Sequence, residues 1–120
     1  MLRFHSPGIP IVSKKEGILR GLEVVAELGL DGMEILFTHG VNMTSELAEA
    51  VHKKAQQQNL TLSVHGPFWI NLNSRDPLKI EASKKNILDT VRKAHEMGAS
   101  SITFHAAFMH ESSNHEIINF

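Results

Sequence analysis

No cysteine occurs among the 120 residues, so the chain has neither a disulfide framework nor a thiolate metal site. A reducing cytoplasm is compatible with that composition. No apolar run approaches the ~18 residues that a membrane span requires. Met1 leads into Leu2, Arg3 and Phe4, which lack the basic-then-apolar pattern of a signal segment. We therefore expect a cytoplasmic protein with no membrane partner.

An excess of charge of one sign is also missing, since the formal net charge is −1. Bulk electrostatics therefore gives no indication of nucleic-acid binding, although a local basic face is still possible. The length and the ordinary globular composition predict one domain spanning residues 1–120. The one enriched ionisable type is histidine, with 8 residues, and histidine is the commonest metal ligand in proteins.

Four short apolar segments alternate with three helical patterns. The segments predict strands at residues 2–4, 32–37, 60–65 and 101–105. The helical patterns begin near Lys14, at Thr44 or Ser45, and at Asp76-Pro77. They end near Gly29, Asn59 and Gly98, residue types that tolerate a left-handed backbone. A further helix is expected after 112–114. This alternation predicts parallel strands joined by right-handed crossovers.

Two parallel architectures fit the alternation. An open doubly wound sheet suits a chain of this length, whereas an eight-stranded barrel typically needs ~250 residues. Polar residues, however, recur at the end of every predicted strand rather than at a single switch point. That distribution favours the barrel.

Imidazoles follow the strands at the edge where parallel sheets carry their functional groups. His65 ends the third predicted strand and His105 ends the fourth, each after an apolar run. Neutral imidazoles that converge there suit zinc or another divalent ion. The alternative is that each is a hydrogen-bonded structural histidine.

Glu34 lies in a strand too apolar to accept an unpaired charge. It is either a ligand or catalytic base that faces the interior, or the partner of a structural cation. We expect His5, after the first strand, to line the pocket rather than to bind metal. His39 follows the second strand and is expected at the same edge. The other histidines are expected to be packing or solvated residues: His52, His95, His110 and His115.

Three segments together resemble the endonuclease IV family of the xylose-isomerase-like barrel superfamily. They are "GLDGMEILF" (29–37), "SVHGPFWINLNS" (63–74) and "ITFHAAF" (102–108). The resemblance implies an α/β fold of parallel (β/α) units, a partial TIM barrel of about four strands that forms the N-terminal half of the barrel. It also implies zinc-dependent hydrolysis of DNA on the 5′ side of abasic sites.

The resemblance assigns roles to individual residues. His65 and His105 match two zinc-binding histidines of the family. Phe68 and Trp69 fall where the family carries a tyrosine and an apolar residue that wedge into DNA, and Asn71 would be a hydrogen-bonding residue at the rim. The alternative for Phe68 and Trp69 is that they anchor the loop by packing onto the barrel.

Several features depart from the family pattern. Phe68 lacks the tyrosine hydroxyl, Ala106-Ala107-Phe108 replaces Pro-Gly-Ser, and His39-Gly40-Val41-Asn42 replaces a stretch that supplies an arginine to DNA. The family's other ligands lie on later strands than the four predicted here. A half-barrel would leave two open edges and an uncovered apolar face, so we expect a homo-oligomer or a missing barrel half as partner. A sugar isomerase or epimerase that uses Glu34, or a silent oligomerising fragment, is the alternative function.

Overall fold

A computed structural model describes residues 1–108, which form four parallel strands and three α-helices in strict alternation. The strands are β1 (His5–Pro7), β2 (Gly32–Leu36), β3 (Thr61–His65) and β4 (Ser101–Thr103). The helices are α1 (Ile18–Glu27), α2 (Ser45–Gln57) and α3 (Pro77–Glu96), and a 3₁₀ turn, Ile11–Ser13, precedes α1. None of these helices has the length and apolar character needed to cross a membrane. The helix predicted after 112–114 lies outside the described residues.

The strands lie in sequential order, β1-β2-β3-β4, and every neighbouring pair is parallel. Helix α2 packs between α1 and α3, and all three contribute to one core against the same face of the sheet. A doubly wound sheet would reverse its strand order and carry helices on both faces. The sequential order is that of a (β/α) barrel, which confirms the prediction of a partial barrel with four strands.

Side chains alternate between a buried and an uncovered face of the sheet, as the period of a strand requires. The buried face carries Met33, Ile35, Leu62 and Val64, each at most 3% exposed. The uncovered face is predominantly polar and carries His5, Glu34, Thr61, Ser63, Ser101 and Thr103. The expectation of an uncovered apolar face is therefore wrong, because most apolar positions of these strands turn toward the helices. Two apolar residues lie on the uncovered face: Pro7, and Leu36, which is 43% exposed.

The helix ends follow the capping residues of the sequence. The side chain of Thr44 accepts a hydrogen bond from the backbone of Leu47, and that of Asp76 accepts one from Leu78. Gly29, Asn59 and Gly98 adopt positive φ values of 72°, 55° and 67°. Each lets the chain turn from its helix directly into the next strand, as predicted.

Three boundaries differ from the sequence prediction. The first strand begins at His5 rather than Leu2, because Phe4 exchanges hydrogen bonds with Asp31 in the turn before β2. Helix α1 begins at Ile18 rather than Lys14, because Gly17, with φ 88°, separates it from the 3₁₀ turn. Strand β4 ends at Thr103, so His105 lies beyond the strand instead of closing it.

Candidate functional site at the carboxyl ends of the strands

The imidazoles of His65 and His105 lie side by side at the carboxyl end of the sheet. Their ring centroids are 5.5 Å apart and the ring planes are inclined by 43°. His65 is the last residue of β3 and pairs with Thr103, so the chain beyond β4 carries His105 next to it. His65 is half-buried and His105 is exposed. The fold thus brings together the two residues that the sequence predicts as a metal pair.

The hydrogen bonding of His65 engages one of its two ring nitrogens. Its Nδ1 donates to the carbonyl oxygen of Gly66 at 2.8 Å, which places the proton on Nδ1 and the lone pair on Nε2. Metal-bound histidines typically donate their second nitrogen in this way. The chemistry of the pair therefore fits two of the nitrogen ligands of a zinc ion.

A complete zinc site needs more than two protein ligands. Residues 1–108 contain no group of three or more histidine, cysteine, aspartate or glutamate side chains that could hold a metal ion. A zinc ion bound by His65 and His105 would accordingly take its other ligands from outside the described residues.

Three rings form an exposed shelf in the loops that follow β2 and β3. Phe68 packs edge-on against Trp69, with centroids 5.1 Å apart, and against His39, with centroids 5.9 Å apart. We call His39, Phe68 and Trp69 the aromatic shelf. Phe68 is 53% exposed and Trp69 is 43% exposed, whereas their neighbours Pro67 and Ile70 are fully buried. Because Pro67 and Ile70 anchor the loop, the shelf rings are available for contact with another molecule.

The packing of His39 against Phe68 was not predicted from the sequence. Its position directly after β2 was the available signal, since the loops that follow neighbouring strands meet at one edge. Nδ1 of His39 also lies 3.1 Å from the hydroxyl of Thr38, whose carbonyl accepts a hydrogen bond from the backbone of Phe68.

The side-chain oxygen of Asn71 is engaged within the protein. It accepts hydrogen bonds from the backbone nitrogens of Asn73, at 3.0 Å, and Phe108, at 3.2 Å. A cavity of about 470 Å³ lies between this residue, the shelf and α3, lined also by Lys79, Asn86 and Phe108. The role of Asn71 as a substrate contact stays a prediction. Its side-chain oxygen holds two backbone segments of the protein together.

His5 does not join the two imidazoles, and the expectation that it follows the first strand is wrong. It is the first residue of β1 and pairs with Gly32 at the amino end of the sheet. Its Nε2 lies 2.8 Å from the hydroxyl of Thr61, four residues before His65 on β3. Its Nδ1 lies 3.2 Å from the hydroxyl of Ser63, which precedes His65 by two residues, or about 7 Å along β3.

Glu34 lies on the uncovered face, half-buried in the middle of β2 and paired with Ser63. Leu36, two residues further along, is the residue of β2 that pairs with His65. Within residues 1–108 the carboxylate does not complete a group of three ligands with the histidines. Its assignment as a catalytic base stays a prediction.

The carboxylates with clearly shifted pKa values lie on the helices. A hydrogen bond from Lys54, with a second from Arg20, lowers the pKa of Glu23. Lysine partners likewise lower the pKa of Glu49 and Glu96. These are surface ion pairs of the kind that structural networks produce, so they do not mark a second catalytic centre.

The comparisons with known proteins agree with this architecture. The model of the family "Xylose isomerase-like TIM barrel" matches residues 22–118. The uncharacterized protein MJ0133 of Methanocaldococcus jannaschii is 31% identical over 108 residues, which are 90% of this chain and 38% of that protein.

Solved structures of several proteins share the fold. Endonuclease IV from Thermus thermophilus superposes with a TM-score of 0.70 at 21% identity, over 88% of this chain and 40% of that one. The TTHB071 protein of the same organism, in crystals soaked with ZnCl₂, gives 0.65 at 25% identity, over 98% and 44%. A D-psicose 3-epimerase studied in the presence of D-fructose gives 0.63 at 22% identity, over 81% and 35%.

The chain spans well under half the length of these proteins, between 35% and 44% of each structure. The family model covers residues 22–118, well over half of the chain, and the strand order is that of the same barrel. The protein therefore belongs to the xylose isomerase-like TIM barrel family.

Proposed function

We propose that this chain supplies the first four units of a zinc-dependent barrel that cleaves DNA at abasic sites, as endonuclease IV does. The observation that carries the proposal is the His65–His105 pair, whose centroids are 5.5 Å apart, together with the exposed rings of Phe68 and Trp69 in the loop that follows His65. Metal ligands next to a hydrophobic wedge are the combination needed to open a duplex at a lesion and to cleave its backbone.

Each part of the site has a defined task in this proposal. His65 and His105 would hold zinc through ring nitrogens, and the metal would supply a nucleophile for hydrolysis and stabilise the leaving oxygen. Phe68 and Trp69 insert at the lesion, where their rings offset the base stacking that is lost. The abasic nucleotide, which has no base to unstack, leaves the duplex at low cost and reaches the histidines.

The barrel also has to be closed. Strands β1 and β4 are the two edges of the described sheet, and each carries backbone groups that can pair with a further strand. We infer that further barrel units, from the remaining half of a longer protein or from a second copy of this chain, cover these edges and supply the missing zinc ligands.

The test is cleavage of a labelled duplex that carries a tetrahydrofuran abasic analogue, which resists β-elimination and reports hydrolysis alone. We expect cleavage on the 5′ side, loss of activity with a chelator, and a rate that falls steeply with salt because phosphate contacts release counterions. His65→Ala and His105→Ala should abolish cleavage. His95→Ala, an exposed histidine of α3, is the matched control and should leave the rate unchanged. Chelator-resistant cleavage, or none with zinc bound, would contradict the proposal.

A second candidate, a sugar isomerase or epimerase, is favoured by the polar character of the uncovered face. Glu34 and Ser63 are paired neighbours on this face, and a carboxylate beside a hydroxyl suits proton transfer on a polyol. Two results together would replace the first proposal by this one. The unmodified chain would turn over a ketose and not cleave abasic DNA, and Glu34→Gln would lose the ketose activity.

A further inference from the structure

The chain beyond β4 is tied to the loop after β3 by four hydrogen bonds that bracket His105. The backbone nitrogen of Gly66 donates to the carbonyl of Thr103 at 2.8 Å, and that of Leu72 donates to Ala106 at 2.8 Å. Further along, Phe108 donates from its backbone nitrogen to Oδ1 of Asn71 and accepts at its carbonyl from Nδ2 of Asn73. Because β4 ends at Thr103, these bonds outside the strand set the path of the segment that carries His105.

Asn71 is the fixed point of this arrangement. Its backbone nitrogen donates to the hydroxyl of Ser83 at 2.9 Å, and that hydroxyl donates to the carbonyl of Lys79 at 2.8 Å. Ser83 is 3% exposed on α3, so the contact is shielded from water. The side-chain oxygen of Asn71 then serves two segments at once, the backbone of Asn73 and that of Phe108.

We propose that Asn71 is a positioning residue that sets the geometry of the His65–His105 pair. This inference rests on the proposed zinc site. Both groups bonded to its Oδ1 are backbone N–H donors, which only an acceptor can satisfy. Aspartate at this position keeps the acceptor, whereas leucine, of similar size, removes it and releases the segment that follows His105.

The first test needs no metal. In the unmodified chain, the ring protons of His65 and His105 should give a nuclear Overhauser effect, since the centroids lie 5.5 Å apart. Asn71→Leu should abolish this signal and Asn71→Asp should restore it. Thr44→Ala, which removes the cap of α2 and so lowers stability away from the site, is the control and should retain it.

The second test is zinc affinity, measured by competition with a chromophoric chelator. Loss of residues that orient metal ligands typically weakens binding about 10- to 100-fold, and we expect Asn71→Leu to fall in that range. Asn71→Asp should bind at least as well as the unmodified chain, and Thr44→Ala should bind equally well. If Asn71 had a purely structural role, zinc affinity would instead fall in proportion to the loss of folding stability, and Thr44→Ala would weaken zinc binding as well.

The outcomes separate this inference from the proposed function. If Asn71→Leu keeps both the ring–ring signal and the zinc affinity, the inference is overturned while the zinc site stands. If the unmodified chain binds no zinc, the proposed function fails and the ring–ring signal alone decides the positioning role. Should Asn71→Leu not fold, Asn71→Ala removes the same acceptor with a smaller side chain, and an unchanged ring–ring signal there would overturn the inference.

Discussion

The imidazole of His52 in α2 lies directly over Gly98, at the end of α3. A β-carbon on residue 98 would lie 2.1 Å from Nδ1 of His52, far inside van der Waals contact. Gly98 also has a φ of 67°, a conformation that L-residues adopt at a cost. The glycine therefore serves both the turn into β4 and the packing of α2 against α3.

Gly98→Ala should consequently destabilise the chain more than Gly29→Ala, its counterpart at the end of α1. Gly29 has a similar φ of 72°, but a β-carbon there meets nothing within 4 Å. We expect about 1 kcal/mol of lost stability for Gly29→Ala from backbone strain alone, and roughly twice that for Gly98→Ala. Urea denaturation measures both.

The extra cost at Gly98 should disappear when His52 is shortened. A double-mutant cycle tests this. In a chain that already carries His52→Ala, the further loss of stability caused by Gly98→Ala should be about equal to the loss caused by Gly29→Ala. Equal effects of Gly98→Ala and Gly29→Ala in the presence of His52 would show that the imidazole moves aside freely.

Gly32→Ala should be much more severe, because the obstacle is backbone. A β-carbon there would lie 2.0 Å from the carbonyl oxygen of Thr61 and 2.6 Å from Nε2 of His5. We expect loss of the folded state by circular dichroism. His5→Ala should not rescue it, since the Thr61 carbonyl remains, and a folded Gly32→Ala chain would disprove the described pairing of β2 with β3.

Acid should weaken the contact between α1 and α2. The ammonium of Lys54 lies 2.6 Å from the Glu23 carboxylate and, with Arg20, holds the pKa of Glu23 below its ordinary value of 4.5. A lowered pKa stabilises the folded state above about pH 4.5 and ceases to do so as the pH falls through the folded-state value. Lys54→Met should therefore flatten the decline of the urea midpoint as the pH falls below about 4.5. Lys15→Met, in the loop before α1, is the control, and an equal flattening there would refute the assignment.

The aromatic shelf should contribute to recognition of damaged DNA and little to stability. Phe68 and Trp69 are 53% and 43% exposed, so their replacement by alanine removes little buried surface. We expect Trp69→Ala to weaken binding to an abasic duplex by about 1–3 kcal/mol, the value of a stacked base, with an unchanged urea midpoint. If Trp69→Ala weakened binding to undamaged duplex by the same factor as binding to abasic duplex, Trp69 would instead be a general DNA contact.

The order of strands and helices could be predicted from the sequence because each boundary carries a local signal. Apolar runs mark β2 and β3. Thr44 and Asp76 mark helix starts, because their side chains accept the capping hydrogen bonds. Gly29 and Gly98 mark helix ends, because most other residues adopt a positive φ at a cost. The alternation then fixes the direction of the strands. His65 could be placed at the carboxyl edge for the same reason, since it ends an apolar run.

The position of His5 could not be predicted in this way. Strand β1 is only three residues long, and the register of so short a strand is set by its contacts with the neighbouring strands. The imidazole is held at the amino end by Thr61 and Ser63, which are distant in sequence. The bonds of Asn71 and the place of His39 in the shelf are likewise contacts between loops. Contacts of this kind depend on how the strands bring the loops together, which composition and periodicity do not encode.

The proposed function requires that His65 and His105 bind one metal ion together. The most direct test is the zinc content of protein purified without added metal, by elemental analysis, with the mass determined by light scattering on the same sample. We expect about one or more zinc ions per chain, retained in His95→Ala and lost in His65→Ala and His105→Ala. A well-folded protein that retains no zinc, or one whose zinc survives both substitutions, would contradict it.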